Sequence, residues 1–192
     1  MLVEAGPREP VAECVRTHSR GEDAARMILI LMGVTGSGKS TIGQVLSKQL
    51  GWEFRDADDF HSAANVEKMR AGIPLTDEDR WPWLESIRAY AEARLKAGQS
   101  SIVACSALKK VYRQVLLGGG PGVNFVHLKG DASLIGDRLA QRRGHFMNPK
   151  LLQSQFDTLE QPDNAFVADI SGTPEEIARA IVAHFNLPAK TS

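Results

Sequence analysis

The chain has 192 residues, 43% of them hydrophobic and 24% charged, enough to enclose one core and too few for several domains. Its 23 Lys and Arg balance 23 Asp and Glu, which excludes a global basic field for nucleic acid or an anionic membrane. No apolar run approaches the roughly 20 residues of a bilayer span. Cys14 sits in a polar leader and Cys105 in an apolar run, a usage that argues against a disulfide and for a reducing compartment.

Residues 1–26 carry charges and prolines without periodicity, so they are expected to form a flexible N-terminal extension, with residues 27–192 as a single domain. Glu4, Glu9, Glu13, Glu22 and Asp23 argue against a transit peptide. MILILM (27–32) is a continuous apolar run, the pattern of a strand covered on both faces. STIGQVLSKQL (40–50) then places Ile42, Val45, Leu46 and Leu50 at helical spacing, and Gly51 can close that helix. WEFRDAD (52–58) reads as the second strand, and Thr76 as the cap of a helix running to about Ala97. SIVACS (101–106) and VNFVHLKG (123–130) are further strands around a helix near 107–117. Asp131 to Arg142 and a segment opening at Asn148-Pro149 are helical. NAFVADIS (164–171) is the last strand, and Thr173 to Glu176 forms the capping box of a terminal helix. Strand and helix alternating at this interval predict a parallel α/β sheet with right-handed crossovers.

GVTGSGKS (33–40) fits G-x-x-x-x-G-K-[ST] between an apolar strand and a helix, the context a phosphate-binding loop requires. Gly33, Gly36 and Gly38 let successive N–H groups turn toward an anion, and the helix adds its positive end. Gly33, Val34, Thr35, Gly36, Ser37, Gly38, Lys39, Ser40 and Thr41 are therefore expected to bind ATP. Lys39 would reach the β- and γ-phosphates and the Ser40 hydroxyl would hold Mg²⁺. The chain has no N-K-x-D guanine reader, and motor or AAA-type ATPases usually need more residues; a compact kinase remains. Alternation along DADDFH (56–61) puts Asp56 and Asp58 on one side of the second strand. Asp56 is expected behind the metal and Asp58 at an acceptor hydroxyl.

DADDFH (56–61), NVEKMRAGIPLTDEDRWPWL (65–84), CSALKKVYR (105–113), LKGD (128–131) and RLAQRRGHFMNPKLLQSQFDTLE (138–160) together resemble the gluconokinase family, in order, from about Ile28 to Phe185. The resemblance implies a five-stranded parallel sheet of order 2-3-1-4-5 flanked by helices, with substrate-binding and lid segments. It implies phosphoryl transfer from ATP with Mg²⁺ to the 6-hydroxyl of D-gluconate, in a cytoplasmic homodimer. One departure is His61-Ser62 where the family commonly has His-Pro, which is expected to loosen the start of the next helix. The family's acid-substrate region makes Arg80 the first substrate-binding candidate. Lys109, Lys110 and Arg113 join it, because cations disfavour a helix N-terminus and so invite a ligand explanation. His61 is a further candidate for a substrate hydroxyl. Arg138, Arg142 and Arg143 precede the lid: Arg138 is assigned to ATP, and Arg142 joins Lys39 and Asp58 as catalytic. Trp81 and Trp83 read as packing residues. A kinase for another sugar acid or polyol, and a catalytically silent nucleotide-binding regulator, stand as alternatives.

Overall fold

The computed structural model describes residues 26–141 and 149–188. Five parallel strands, β1 (Ile28–Met32), β2 (Glu53–Asp56), β3 (Ser101–Ala104), β4 (Val123–Lys129) and β5 (Ala165–Asp169), lie in the order β2-β3-β1-β4-β5. The order implied by the resemblance is thus the order found. Every residue of β1 has no accessible surface, because β1 is central and helices cover both faces. Leu29 and Leu31 enter one apolar cluster with residues of α1 (Lys39–Leu50), α5 (Ala132–Gln141), α6 (Pro149–Thr158) and α7 (Pro174–His184). Ile28, Ile30 and Met32 enter a second cluster with α3 (Asp77–Lys96) and α4 (Lys110–Leu117) on the opposite face. Fully burying each such side chain contributes about 2 kcal/mol, so β1 is the firmest part of the sheet.

The helix ends follow their sequence signals. Gly51 closes α1 at φ 70°, and Thr76 and Thr173 each form a capping box, with Asp79 and Glu176. The start of α2 (Ala63–Arg70) corrects an expectation: Ser62 does not loosen it, since its hydroxyl accepts from the Asn65 N–H at 3.2 Å as an N-cap. Two element boundaries also differ. β2 ends at Asp56, and Ala57–Phe60 turns through a single 3-10 helix. α4 begins at Lys110 rather than 107, because Ala107 adopts φ 42° and Lys109 is extended. Arg26, assigned by sequence to the extension, donates from Nε to the Gly98 carbonyl at 3.1 Å. Residues 1–25 lie outside the described residues, and among the described residues no helix is long and apolar enough to cross a membrane.

Gly43 sits in the interior of α1, where glycine costs helix stability, and the packing explains it. A Cβ there would lie 2.3 Å from Phe54 of β2, so α1 reaches the sheet only without a side chain at this point. Gly43→Ala would gain about 1 kcal/mol of helix propensity and lose about 1–3 kcal/mol to overpacking. The expected outcome is net destabilisation in urea unfolding, recovered by Phe54→Leu in the same chain; a more stable Gly43→Ala protein would contradict this packing.

Candidate active site

The site is built where β1 runs into α1. Gly33, Gly36 and Gly38 all take positive φ, 139°, 84° and 93°, which lets residues 33–38 fold back over the end of the sheet. The turn is also crowded: a Cβ on Gly33 would meet the Leu128 carbonyl oxygen at 2.9 Å, and one on Gly36 would meet Leu139 at 2.8 Å. Gly38 is the N-cap of α1, with no side chain to satisfy the first amides of the helix, so these donors face the loop. Lys39 Nζ lies over the same loop, 2.9 Å from the Gly33 carbonyl and 3.0 Å from that of Val34. Val34 and Ser37 are buried, so they can serve a phosphate through backbone alone.

Two depressions flank this loop and share Gly36 and Gly38. The first, of about 400 Å³, is polar and is walled by Thr35, Lys39, Ser40, Asp56, Asp58, Ala104, Ser106 and Gln155. Ser40 Oγ donates to Asp56 Oδ2 at 2.9 Å. A hydroxyl and a carboxylate at this spacing, beside the loop amides, are the oxygen donors that Mg²⁺ takes when it arrives with a polyphosphate. Sheet register makes the pairing possible: Asp56 stands opposite Ala104, and Ala104 opposite Leu31, at one level of the sheet. The second depression, of about 370 Å³, runs between the loop, Thr41, Ile42 and Arg138 on one side and Gly172, Pro174 and Ile177 on the other. Arg138 is tethered there by a 2.5 Å hydrogen bond from Nη2 to the Ile170 carbonyl. Aliphatic walls with one guanidinium suit a flat heteroaromatic ring.

Asp58 reaches the first cleft by a different route from strand alternation. It belongs to the 3-10 turn, whose N-cap is Asp56; Asp56 Oδ1 accepts from the Asp58 N–H at 3.2 Å. The two carboxylates therefore meet because one caps the turn that carries the other. Crowding around Asp58 raises its pKa, and the Asp56 charge adds to the rise, while His61 and Lys39 oppose it. With 81% of its side chain still open, water screens these effects. His61 is 4.0 Å away, stacked on Trp83 at 4.5 Å, with only 5% of its side chain exposed. Burial lowers its pKa against the pull of Asp58, which favours the uncharged imidazole. Trp83 is fixed in turn by a 2.7 Å bond from Nε1 to the Ala57 carbonyl.

The cations divide. Lys109 caps α4 and places Nζ 2.8 and 2.9 Å from the two oxygens of Asp77, at the start of α3. Tyr112 donates to Asp77 at 2.5 Å, and Arg80 lies 3.7 Å from it, its guanidinium also bonded to the Leu75 carbonyl at 2.6 Å. The Lys109 and Tyr112 hydrogen bonds hold the Asp77 carboxyl below its usual range. Lys110 and Arg113 each engage partners of their own, and like Arg80 and Lys109 they are not among the residues that wall the polar cleft. Lys110 Nζ pairs with Asp163 at 3.3 Å, and its N–H donates to the Glu160 carboxylate. Arg113 is 4% exposed and donates to the carbonyls of Ala107 and Leu108 at 3.0 and 2.9 Å. The basic start of α4 is thus offset by Asp77, Glu160 and Asp163, three acids far away in sequence. Arg142 and Arg143 lie outside the described residues. Cys105, between the cleft-lining Ala104 and Ser106, packs into the second apolar cluster at 1% exposure, and burial pushes its thiol up to about 12. Sequence reasoning missed Ser106 and Gln155. Gln155 falls within the quoted LLQSQFDTLE stretch, yet no spacing rule singles it out.

A glycine-rich loop on a parallel sheet, a Ser–Asp pair beside it and a second carboxylate across the cleft define a P-loop phosphotransferase. The family model described as AAA domain matches residues 28–162, the P-loop core. A probable gluconokinase of Rattus norvegicus is 46% identical over 176 residues, covering 81% of this chain and 95% of the rat protein. A gluconokinase of Arabidopsis thaliana is 44% identical, covering 85% and 95%. The crystal structure of a gluconokinase from Sinorhizobium meliloti superposes with a TM-score of 0.74 at 40% identity, covering 83% and 91%. The chain belongs to the gluconokinase family, and its core to the wider group that the AAA-domain model describes. Chain length alone therefore does not separate this domain from the AAA group, whose model spans residues 28–162 of it.

One pH dependence follows from the raised Asp58 pKa. If its carboxylate form is needed, kcat/KM rises with pH through a pKa above the ordinary aspartate value of 3.8. The expected profile has its acid limb above that value, and Asp58→Asn removes the limb with most of kcat; a limb at or below 3.8 would tell against Asp58.

Proposed function

We propose that this chain transfers the γ-phosphoryl group of ATP to the 6-hydroxyl of D-gluconate, giving 6-phosphogluconate and ADP. The observation that carries the reading is the polar cleft that gathers Lys39, Ser40, Asp56 and Asp58 around the glycine loop, in a chain whose relatives are gluconokinases. The loop amides and the α1 N-terminus hold the phosphate tail, and Lys39 neutralises charge as the phosphoryl group leaves. The base and ribose occupy the groove between Arg138 and Pro174. Ser40 and Asp56 would hold Mg²⁺, which would supply charge neutralisation for the phosphate tail. Asp58 accepts the proton of the attacking hydroxyl, and His61, wedged against Trp83, limits where that carboxylate can turn. Little more is asked of a base in phosphoryl transfer, where alignment and charge dominate.

Arg80 and Lys109 form the cationic wall for the sugar acid. Asp77 shares its one negative charge among Arg80, Lys109 and the Tyr112 hydroxyl, so the cluster retains a net positive charge that suits a carboxylate. The hydroxyl-rich chain of gluconate would span from this wall to Asp58. Arg142, as the further cation of transfer, belongs to this proposal through the family motif.

A coupled assay of ADP release against gluconate, shikimate and other sugar acids tests the assignment. Highest kcat/KM for gluconate is expected; a preference for another acceptor, or ATP binding without acceptor-dependent ADP release, would displace it. Lys39→Ala should lower kcat by about 100-fold or more, and unchanged turnover would remove the loop from the mechanism. Arg80→Met should raise the gluconate KM by about tenfold with the ATP KM nearly constant, since a charge-assisted hydrogen bond is worth about 1.5–3 kcal/mol. Equal effects on both would place Arg80 elsewhere.

A further inference from the structure

Gln155 is a polar residue on the inward face of α6, one helical turn from Leu152 and one from Leu159, with Phe156 beside it. Leu152 is buried, and Phe156 and Leu159 pack against the apolar core. Between these anchors the Gln155 amide reaches the glycine loop across 120 residues of sequence. Thr35 N–H lies 2.7 Å from Oε1, and Nε2 lies 3.0 Å from Thr35 Oγ1. A backbone N–H can only donate, so this contact fixes the amide's orientation: oxygen toward the loop backbone, nitrogen toward the hydroxyl. One N–H and one lone pair of the amide remain, in a residue that lines the same cleft as Lys39, Asp56 and Asp58.

The chain just beyond α6 is tied to the acceptor side. Glu160 N–H donates to the Leu108 carbonyl at 3.0 Å, and the Glu160 carboxylate accepts from Lys110 N–H. The segment it holds runs from Ser106, which lines the cleft, to Lys109, which faces Asp77. α6 therefore bridges the loop that holds the donor phosphate and the connection that faces the acceptor.

We propose that Gln155 is a positioning residue for phosphoryl transfer: its two-point grip on Thr35 sets the loop, and with it the γ-phosphoryl group, at the attack distance from the acceptor hydroxyl. Such a residue acts on alignment and leaves the strength of ATP binding to the remaining loop amides, α1 and Lys39. The inference rests on the kinase reading above.

The test uses the full chain with Gln155→Met, which keeps length and removes both hydrogen bonds, together with Thr35→Val. Wild-type turnover of gluconate is measured first; its absence strikes the substrate assignment alone. Amide exchange of residues 33–38 then reads the grip without any acceptor, and faster exchange in Gln155→Met is expected. With the acceptor present, Gln155→Met should lower kcat by about 100-fold, the loss that a displacement of about 1 Å brings. The KM values for ATP and gluconate should stay within about threefold of wild type. Adding Thr35→Val to Gln155→Met should cost little more, because both changes remove one contact. Unchanged exchange, a kcat within about twofold of wild type, a loss carried by the gluconate KM, or multiplicative effects of the two substitutions would each overturn the proposal. A lowered Tm with kcat retained at 25 °C would reduce Gln155 to a stability role and overturn it likewise.

Discussion

The reversal of the chain between β1 and α1 is the constraint on which the rest depends. A strand buried on both faces cannot move, and three glycines in left-handed or near-mirror geometry leave the loop little choice of path. The backbone itself becomes the anion receptor, so its side chains are free for other work: Val34 fills the core, Thr35 meets Gln155, and Ser40 meets Asp56. The order of the sheet then distributes the chemistry. β3 lies next to β1 and β2 beyond it, so Asp56, at the end of β2, and Asp58, in the turn after it, come to the cleft from beyond β3.

A second balance is electrostatic. α3 and α4 both open near the crevice, and two converging helix N-termini concentrate positive potential there. Basic residues at one of them worsen the crowding, and the fold answers with Asp77 at the first position of α3 and Glu160 at the first amides of α4. The result is a wall that stays cationic yet has internal partners, which keeps Lys109 in one geometry. Under the proposed function, an anionic acceptor would meet arranged charges instead of floppy ones.

Much of this was legible in the residues. The five strands, the Thr76 cap of α3, the capping box of α7 and the loop context all declared themselves through period, punctuation and one long motif. What escaped had a physical cause in each instance. Asp58 was placed on a strand because alternation runs on past Asp56, whereas the Asp56 side chain caps a turn and ends the strand. Lys110 and Arg113 looked unpartnered because their acids and carbonyls come from the α6–β5 connection and from the turn at Ala107, whose φ of 42° no alanine advertises. Gln155 was invisible for the same reason: its partner lies 120 residues away, and an amide side chain carries no charge to flag it. Contacts between elements distant in sequence are what single-chain patterns cannot encode.

Cys105, between the cleft-lining Ala104 and Ser106, has almost no access to solvent, and burial holds its proton more tightly than in a free thiol. Thiolate is the species that peroxide, alkylating agents and disulfides attack, and here it is scarce at neutral pH. Burial and a tightly held proton together make this sulfur a poor target beside the cleft.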